Sequence, residues 1–315
     1  MLYTEIPYDN PECHDQKELI DCSKEEFMAL FEPTKPGILM RLFRVMCFFL
    51  FLGPFKILLT FISFFLFYIV ASIIPIFRGL FKTQRDYKNW AFQICRPLIR
   101  LGLLSIGITK INLKGKIDPD SRTIVSNHLS LIETLAILYE FPVSYLAASN
   151  LQRHHIIRAT AGVFEFIFVD RSDSSSRISN KLVNISNDPS LLPIFVFPEG
   201  KVTNGDALVG FRTGAFISET PVQAITVRFR QWLCPKNMSM VSWNEDNWFF
   251  YCYQVYAIPF ITMDIEVLPP CNWKGKTTTP SERATEVQLQ IANSLHTKPF
   301  SMTNKVLFEE KKKTE

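Results

Sequence analysis

The longest uncharged segment of the chain, Ile57 to Phe77, is the sequence feature that most restricts its fold. It runs for 21 residues, and Lys56 separates it from a shorter apolar run at 45–55 that ends in Gly53-Pro54-Phe55. An apolar helix of about 20 residues is long enough to cross a bilayer core about 30 Å thick. The pattern predicts a membrane anchor within residues 41–82. It is either a single span or a re-entrant hairpin broken at Gly53-Pro54 or Pro75.

The anchor divides the chain into four predicted parts. Residues 1–40 are a polar tail, 41–82 the anchor, 83–300 one large domain and 301–315 a charged C-terminal tail. Trp90 to Ile108 is predicted to be an amphipathic helix with Pro97 as a kink or break, because apolar residues recur near helical spacing. The aromatic-rich stretch Trp248 to Met263 is predicted to be strand and loop.

Composition excludes some functions. The net charge is +4 over 315 residues, with no basic stripe, so no nucleic-acid partner is predicted. The 28 Phe residues and 47% hydrophobic content suit a chain partly embedded in lipid. The seven cysteines are scattered without Cys-x-x-Cys spacing. We therefore predict neither a disulfide framework nor a metal site, and free thiols in a reducing compartment.

Strands alternate with helices from residue 123 onward. This order predicts an α/β domain with a mixed, largely parallel sheet flanked by helices, whose functional site lies in loops at strand ends. The predicted strands are 123–126, 166–169, 192–197, 222–229 and 261–268, and the predicted helices are 131–139, 172–187 and one opening at the capping box Thr279 to Glu282.

His128 lies where the first of these strands meets a helix, and Glu133 follows five positions later. A histidine that accepts a proton from a hydroxyl needs a carboxylate on its other ring nitrogen. This spacing can return the carboxylate to the ring. Ser130-x-x-Glu133 is also a capping box, so Glu133 has an alternative role as the cap of its own helix.

Two more candidate loops follow predicted strands. The guanidinium of Arg171, in Asp170-Arg171, can bind a phosphate with two hydrogen bonds. In Pro198-Glu199-Gly200-Lys201, the glycine allows close backbone approach and the lysine adds positive charge. An ordinary surface turn is the alternative for each loop.

Taken together and in this order, the blocks resemble those of the glycerolipid acyltransferase superfamily. That superfamily has a His-x-x-x-x-Asp block, a block ending in arginine, a Pro-Glu-Gly block and an apolar block holding a proline. This chain has Glu133 where the aspartate is usual. The later blocks are similar to the lysophosphatidylcholine acyltransferase branch. The residues that carry the resemblance are Asn127 to Glu133, Phe168 to Arg171, Phe197 to Asn204, Phe211 to Phe216 and Pro221 to Arg228.

The resemblance implies transfer of an acyl group from acyl-CoA to the free hydroxyl of a lysophospholipid. His128 would be the general base and Glu133 its orienting partner. No covalent acyl-enzyme, metal or cofactor is expected, and acyl-CoA is a co-substrate. The residues expected to bind the acceptor are Asn127, Arg171, Glu199, Gly200 and Lys201.

The expected location is the endoplasmic-reticulum membrane with the domain on the cytosolic side, and membrane lipids are therefore expected partners. Lys312-Lys313-Thr314-Glu315 resembles a cytosolic dilysine retrieval signal. A solvated charged tail is the alternative. The alternative to an enzyme is a catalytically silent membrane adaptor of the same fold, on the endoplasmic reticulum or lipid droplets.

Overall fold

A mixed sheet of mostly parallel strands forms the centre of the molecule. The structure, a computed structural model, describes residues 3–32, 37–164, 166–169, 175–234, 239–242 and 247–307. The strands are β1 (Tyr3–Ile6), β2 (Ile108–Lys114), β3 (Thr123–Ser126), β4 (Ser144–Ala148), β5 (Ile167–Val169), β6 (Ile194–Val196), β7 (Ala207–Gly210), β8 (Val222–Trp232), β9 (Ile261–Cys271) and β10 (Lys298–Thr303).

The sheet order is β2-β9-β8-β3-β6-β4-β5, and β1 pairs with β8 outside that path. Strands β8, β3, β6, β4 and β5 run parallel, while β9 and β1 are antiparallel to β8. Strands β7 and β10 form a separate parallel pair. The predicted α/β class with a mixed, largely parallel sheet is confirmed.

Helices cover both faces of the sheet. They are α1 (Lys24–Ala29), α2 (Ile38–Leu50), α3 (Gly53–Ile73), α4 (Gln84–Ile106), α5 (Ile132–Glu140), α6 (His155–Phe164), α7 (Ser175–Ser186), α8 (Trp248–Tyr256) and α9 (Pro280–Leu295). Along β8, Ile225, Val227 and Phe229 face the core shared with α3, α4, α5 and α8, whereas Val222 and Ala224 face the core beneath α9. This alternation follows from the two-residue period of a strand.

The predicted anchor folds as two helices. Helix α2 ends at Leu50, Leu52 adopts a left-handed conformation, and α3 begins at Gly53. The segment Gly53–Leu80 is long and apolar enough to cross a membrane by length and composition. The middle of its inward face is nevertheless small and polar, because Thr60 and Ser63 are buried there and Thr60 Oγ1 lies 2.7 Å from Ser105 Oγ of α4.

Three predicted segments differ in the structure. The first residues are not a loose tail, since β1 extends the sheet beside β8 and Phe27 of α1 is fully buried.

Helix α4 continues through Pro97. Its buried side chains include Cys95, Ile99 and Leu103, whereas Ile94 is 43% exposed. The stretch predicted as strand and loop begins as helix α8, which is capped by Asn247.

Asn127 closes a gap in the sheet. On one side of β8, β3 pairs as far as Ile225 and β1 pairs from Phe229 onward, so Val227 lies between them. The Asn127 side chain donates from Nδ2 to the Val227 carbonyl at 2.9 Å, and its Oδ1 accepts from the Val227 N–H at 2.9 Å. A carboxamide is suited to this position because it offers both a donor and an acceptor.

Replacing Asn127 with alanine is expected to lower the free energy of unfolding by about 2–6 kcal/mol, because two buried backbone groups lose their partners at about 1–3 kcal/mol each. Denaturant titration in detergent measures it. The matched control is Asn184→Ala on the exposed side of α7, expected within about 0.5 kcal/mol of wild type. A loss in Asn127→Ala no larger than in the control would contradict this role.

Candidate active site

Two candidate loops meet because their strands are neighbours. Strands β3 and β6 are parallel and in register, with Val125 beside Val196. The loop that begins at Asn127 and the loop that begins at Phe197 therefore leave the same edge of the sheet. Carboxyl ends of parallel strands are where α/β folds place their sites.

His128 and Glu133 are in direct contact. Nδ1 of His128 lies 2.5 Å from Oε1 of Glu133, and the Glu133 side chain is fully buried. Within the part of the chain that the structure describes, the other ring nitrogen, Nε2, has no hydrogen-bond partner. The histidine side chain retains 16% exposure, so Nε2 is the atom that a substrate can reach.

The capping alternative for Glu133 is half fulfilled. The Glu133 carboxylate accepts from the backbone N–H of Ser130 at 3.1 Å, as in a capping box. In a complete capping box, Ser130 Oγ would also accept from the Glu133 backbone N–H. Here it accepts from the Ile132 N–H instead. Both Glu133 oxygens also accept from the Leu129 N–H, at 2.9 and 3.0 Å. One carboxylate therefore shapes the loop and binds the imidazole.

This arrangement sets the histidine tautomer. Burial is the largest influence and raises the pKa of Glu133 above its ordinary value, and its hydrogen bonds with His128, Leu129 and Ser130 partly oppose that rise. The two backbone N–H groups can only donate, so the carboxylate is stabilised in its ionised, accepting form. An accepting carboxylate requires a proton on Nδ1 of His128. Nε2 then carries the lone pair that a general base needs.

The second loop holds the histidine from the other side. The Glu199 carboxylate accepts from the His128 backbone N–H at 2.6 Å, and the His128 carbonyl accepts from the Thr203 N–H at 3.1 Å. The Phe197 ring stacks on the imidazole, with centroids 3.9 Å apart and planes inclined by 11°. The backbone and one ring face of His128 are therefore fixed by the Pro-Glu-Gly loop.

Glu199 lies inside the protein, away from solvent. It is fully buried, and its second oxygen accepts weakly from the Val209 N–H at 3.4 Å. Burial raises the pKa of Glu199 to about 8, an effect that its two backbone hydrogen bonds only partly oppose. Its visible role is to position His128.

Gly200 is required by close packing and backbone conformation. Its φ is +69°, and a Cβ there would lie 2.6 Å from Asn304 Nδ2. That amide donates to the Glu199 carbonyl at 2.7 Å, and its oxygen accepts from Arg212 Nε at 2.7 Å. Because Gly200 lacks a Cβ, the Asn304 side chain of the same chain can pack against the backbone of the Pro-Glu-Gly loop.

The remaining predicted site residues lie in different places. Lys201 is exposed, and its Nζ lies 4.8 Å from the ring centroid of Phe31. The Asn127 side chain is engaged with β8, as described above. Arg171 lies outside the described residues; strand β5, which precedes it, ends at Val169 on the same edge of the sheet. The structure thus brings His128, Glu133, Glu199 and Gly200 together.

Sequence reasoning missed Tyr251. Its hydroxyl is buried, lies 2.8 Å from Ser130 Oγ and donates to the Val241 carbonyl at 3.2 Å. Burial raises the pKa of Tyr251 above its ordinary value, so this hydroxyl remains neutral. The helical spacing of Tyr251, Gln254 and Val255 could have indicated a helix here. The aromatic residues of the stretch favour strands and so pointed away from that helix.

The pH dependence of stability is expected to report on Glu199. Because its folded pKa is raised to about 8 from an ordinary 4.5, the folded chain keeps a proton that the unfolded chain loses. Stability should therefore fall as pH rises from about 5 to 8. Unfolding titrations at several pH values are expected to show this decline in wild type and a smaller one in Glu199→Gln.

The control for that experiment is Glu219→Gln, which changes an exposed carboxylate and should keep the wild-type pH dependence. Identical slopes for wild type and Glu199→Gln would show that Glu199 is ionised across this range in the folded protein.

Comparison with known proteins agrees with this geometry. The family model described as Acyltransferase matches residues 113–229. The chain is 30% identical over 187 residues to lysophospholipid acyltransferase LPEAT2 of Arabidopsis thaliana, covering 57% of this chain and 33% of that protein. It is 26% identical over 200 residues to lysophosphatidylcholine acyltransferase 2 of Mus musculus, covering 60% and 36%. It therefore spans about a third of the length of these relatives.

A solved structure shares the fold. The 1-acyl-sn-glycerophosphate acyltransferase PlsC of Thermotoga maritima aligns with a TM-score of 0.52 at 12% identity, over 76% of this chain and 96% of that one. The resemblance stated from the motif blocks is confirmed. Residues 113–229 match the Acyltransferase family model, and the relatives named here are lysophospholipid and lysophosphatidylcholine acyltransferases.

Proposed function

We propose that the chain moves a fatty acyl group from acyl-CoA to the free hydroxyl of a lysophospholipid at a membrane surface. The observation that carries the proposal is the contact between His128 Nδ1 and the buried Glu133 carboxylate, which leaves Nε2 open. The relatives' names specify lysophospholipids as substrates of those proteins. Acyl-CoA as donor comes from the family resemblance.

The proposed reaction is a direct transfer. Nε2 of His128 takes the proton from the acceptor hydroxyl as the oxygen attacks the thioester carbonyl. A carbon–oxygen bond forms, the carbon–sulfur bond breaks, and the CoA thiolate receives the proton from the imidazolium. Glu133 stabilises the imidazolium while that proton is held. Glu199, Thr203 and Phe197 keep the ring aligned, and alignment of this kind is worth orders of magnitude in rate.

The acceptor's phosphate requires cations near this edge of the sheet. Arg171 and Lys201 remain the proposed phosphate ligands, on the basis of the family pattern and their charge. Glu199 and Gly200 are proposed to act through the loop that they shape, since the Glu199 side chain is fully buried and bonded to the His128 backbone N–H.

Substitutions at the pair are expected to separate the enzyme from the silent adaptor. His128→Ala should lower acyl transfer by about 10²–10⁴-fold, the usual contribution of a general base. The loop should keep its shape, because Glu133 keeps its Leu129 and Ser130 bonds. Labelled acyl-CoA and a panel of lysophospholipids, supplied to the membrane-bound protein, give the measurement.

Two further variants and a control complete the set. Glu133→Gln removes the charge and places an NH₂ against backbone donors, so activity and stability should both fall. Glu133→Asp, the usual residue of the superfamily, should keep part of the activity. His154→Ala changes an exposed histidine and should be neutral. An adaptor would show no transfer in wild type, and wild-type transfer in His128→Ala would exclude His128 as the base.

We also propose that α2 and α3 embed in one leaflet as a hairpin. Helix α3 contacts the domain along its length, from Lys56 Nζ, which donates to the Ile258 carbonyl at 2.8 Å, to Phe67, whose ring stacks on Phe164. A helix that crossed the bilayer would draw this packed face into lipid. Its other face is exposed and apolar, with Phe61 at 71% and Phe65 at 62% exposure.

The hairpin predicts that both termini lie on the same side of the membrane. Epitope tags at each end of the full chain in sealed microsomes should both be digested by external protease. The protein should remain in the membrane pellet after alkaline carbonate. The proposed location, the endoplasmic reticulum with a cytosolic domain, further requires that the sequon at Asn184 stays unglycosylated. Protection of one tag alone would establish a single span.

A further inference from the structure

A second cluster of ligand-type side chains lies where the N-terminal segment meets the end of α9. Asp9, His14 and His296 each offer one ligand atom there, and these atoms lie within 4.8 Å of one another. Oδ1 of Asp9 is 2.6 Å from Nδ1 of His296, and the two imidazole rings have centroids 3.7 Å apart with planes inclined by 33°. The cluster belongs to neither catalytic loop.

The donor set is that of a late first-row metal ion. Two imidazole nitrogens and one carboxylate oxygen suit Zn²⁺, which binds them at about 2.0–2.1 Å. Tetrahedral ligands at that distance are about 3.4 Å apart. Zinc binding therefore requires ligand atoms that now lie within 4.8 Å of one another to approach by up to about 1.4 Å. Mg²⁺ and Ca²⁺ prefer sets made of oxygen alone.

The backbone that carries these ligands is already fixed by other bonds. The Asn10 N–H donates to the His296 carbonyl at 3.0 Å. The Gln16 N–H donates to Asn293 Oδ1 at 2.6 Å, and Asn293 Nδ2 returns a bond to the Gln16 carbonyl at 3.0 Å. The segment and the helix end are therefore held together independently of the three ligands. A site with preset backbones loses less entropy when it binds an ion.

The conformation of His296 also calls for explanation. It follows α9 in a left-handed conformation with φ +51°, a position where glycine is usual. A side chain there costs roughly 1–2 kcal/mol. Backbone strain of this kind clusters at functional positions, although histidine tolerates the left-handed region better than most residues do. Here the conformation directs the imidazole towards Asp9 and His14.

We propose that Asp9, His14 and His296 bind one Zn²⁺ ion, with water as the fourth ligand, and that the ion fastens the N-terminal segment to α9. The fastening bears on the catalytic loop. A Cβ at Gly205 would lie 2.8 Å from Ile6, and the Asn204 N–H donates to the Leu30 carbonyl at 2.9 Å. The metal thus braces, through the N-terminal segment, the loop that holds His128.

Zinc titration of the full chain tests the site without any activity assay. The purified protein in detergent is stripped with a chelator, its accessible thiols are alkylated, and Zn²⁺ is added in a calorimeter. One ion per chain is expected. Zinc at about a hundred times its dissociation constant should raise the melting temperature by about 5 °C. Mg²⁺ should do neither.

Conservative variants identify the ligands. His296→Asn keeps a residue that tolerates the left-handed conformation, and His14→Gln keeps polarity and size. Each should weaken zinc binding by at least about a hundredfold and abolish the thermal shift while leaving the metal-free melting temperature near wild type. His154→Ala should bind zinc like wild type. No zinc bound by wild type, or undiminished binding in His14→Gln and His296→Asn, would overturn the proposal.

Discussion

The buried carboxylate of Glu133 fixes the geometry on which the rest of the site depends. An ionised carboxylate away from water is costly unless donors surround it. Here the donors are the ring of His128 and the backbone N–H groups of Leu129 and Ser130. The same bonds that shape the loop keep the acid ionised, and the ionised acid sets the histidine tautomer. Loop capping and support of the base are therefore a single interaction.

Glu199 gives this site a second buried acid with a different environment. It accepts hydrogen bonds from two backbone N–H groups, those of His128 and Val209, which lie farther from it in sequence than the donors of Glu133 lie from Glu133. The charge of Glu133 further raises the pKa of Glu199. Two nearby carboxyl groups whose surroundings separate their pKa values can hold one charge between them without strong repulsion. Glu133, with more donors, is the better placed to hold that charge. Glu199 then positions the His128 backbone as a mainly neutral group at physiological pH.

Local sequence patterns predicted the strands and helices that carry the motifs. They did not predict the roles of residues whose partners lie far away in the sequence. Strand β3, strand β6 and helix α9 follow from β-branched runs and a capping box, which are local signals. The roles of Asn127 and Glu199 did not follow, because each depends on a partner about 70 to 100 positions away. Some motif residues form hydrogen bonds with the backbone of the protein itself. In the sequence alone they look the same as motif residues that bind substrate.

Helix α8 links the apolar hairpin to the catalytic loop. Arg44 of α2 donates from Nη1 to Gln254 Oε1 at 3.2 Å, and one turn earlier on α8 the Tyr251 hydroxyl lies 2.8 Å from Ser130 Oγ. The Ser130 backbone N–H in turn donates to Glu133. In the proposed reaction the acceptor stays in the bilayer, so its hydroxyl must meet His128 at a set height above the hairpin. We expect the buried hydrogen bonds through α8 to set that height, because they join the hairpin to the loop of His128 across segments that lie far apart in sequence.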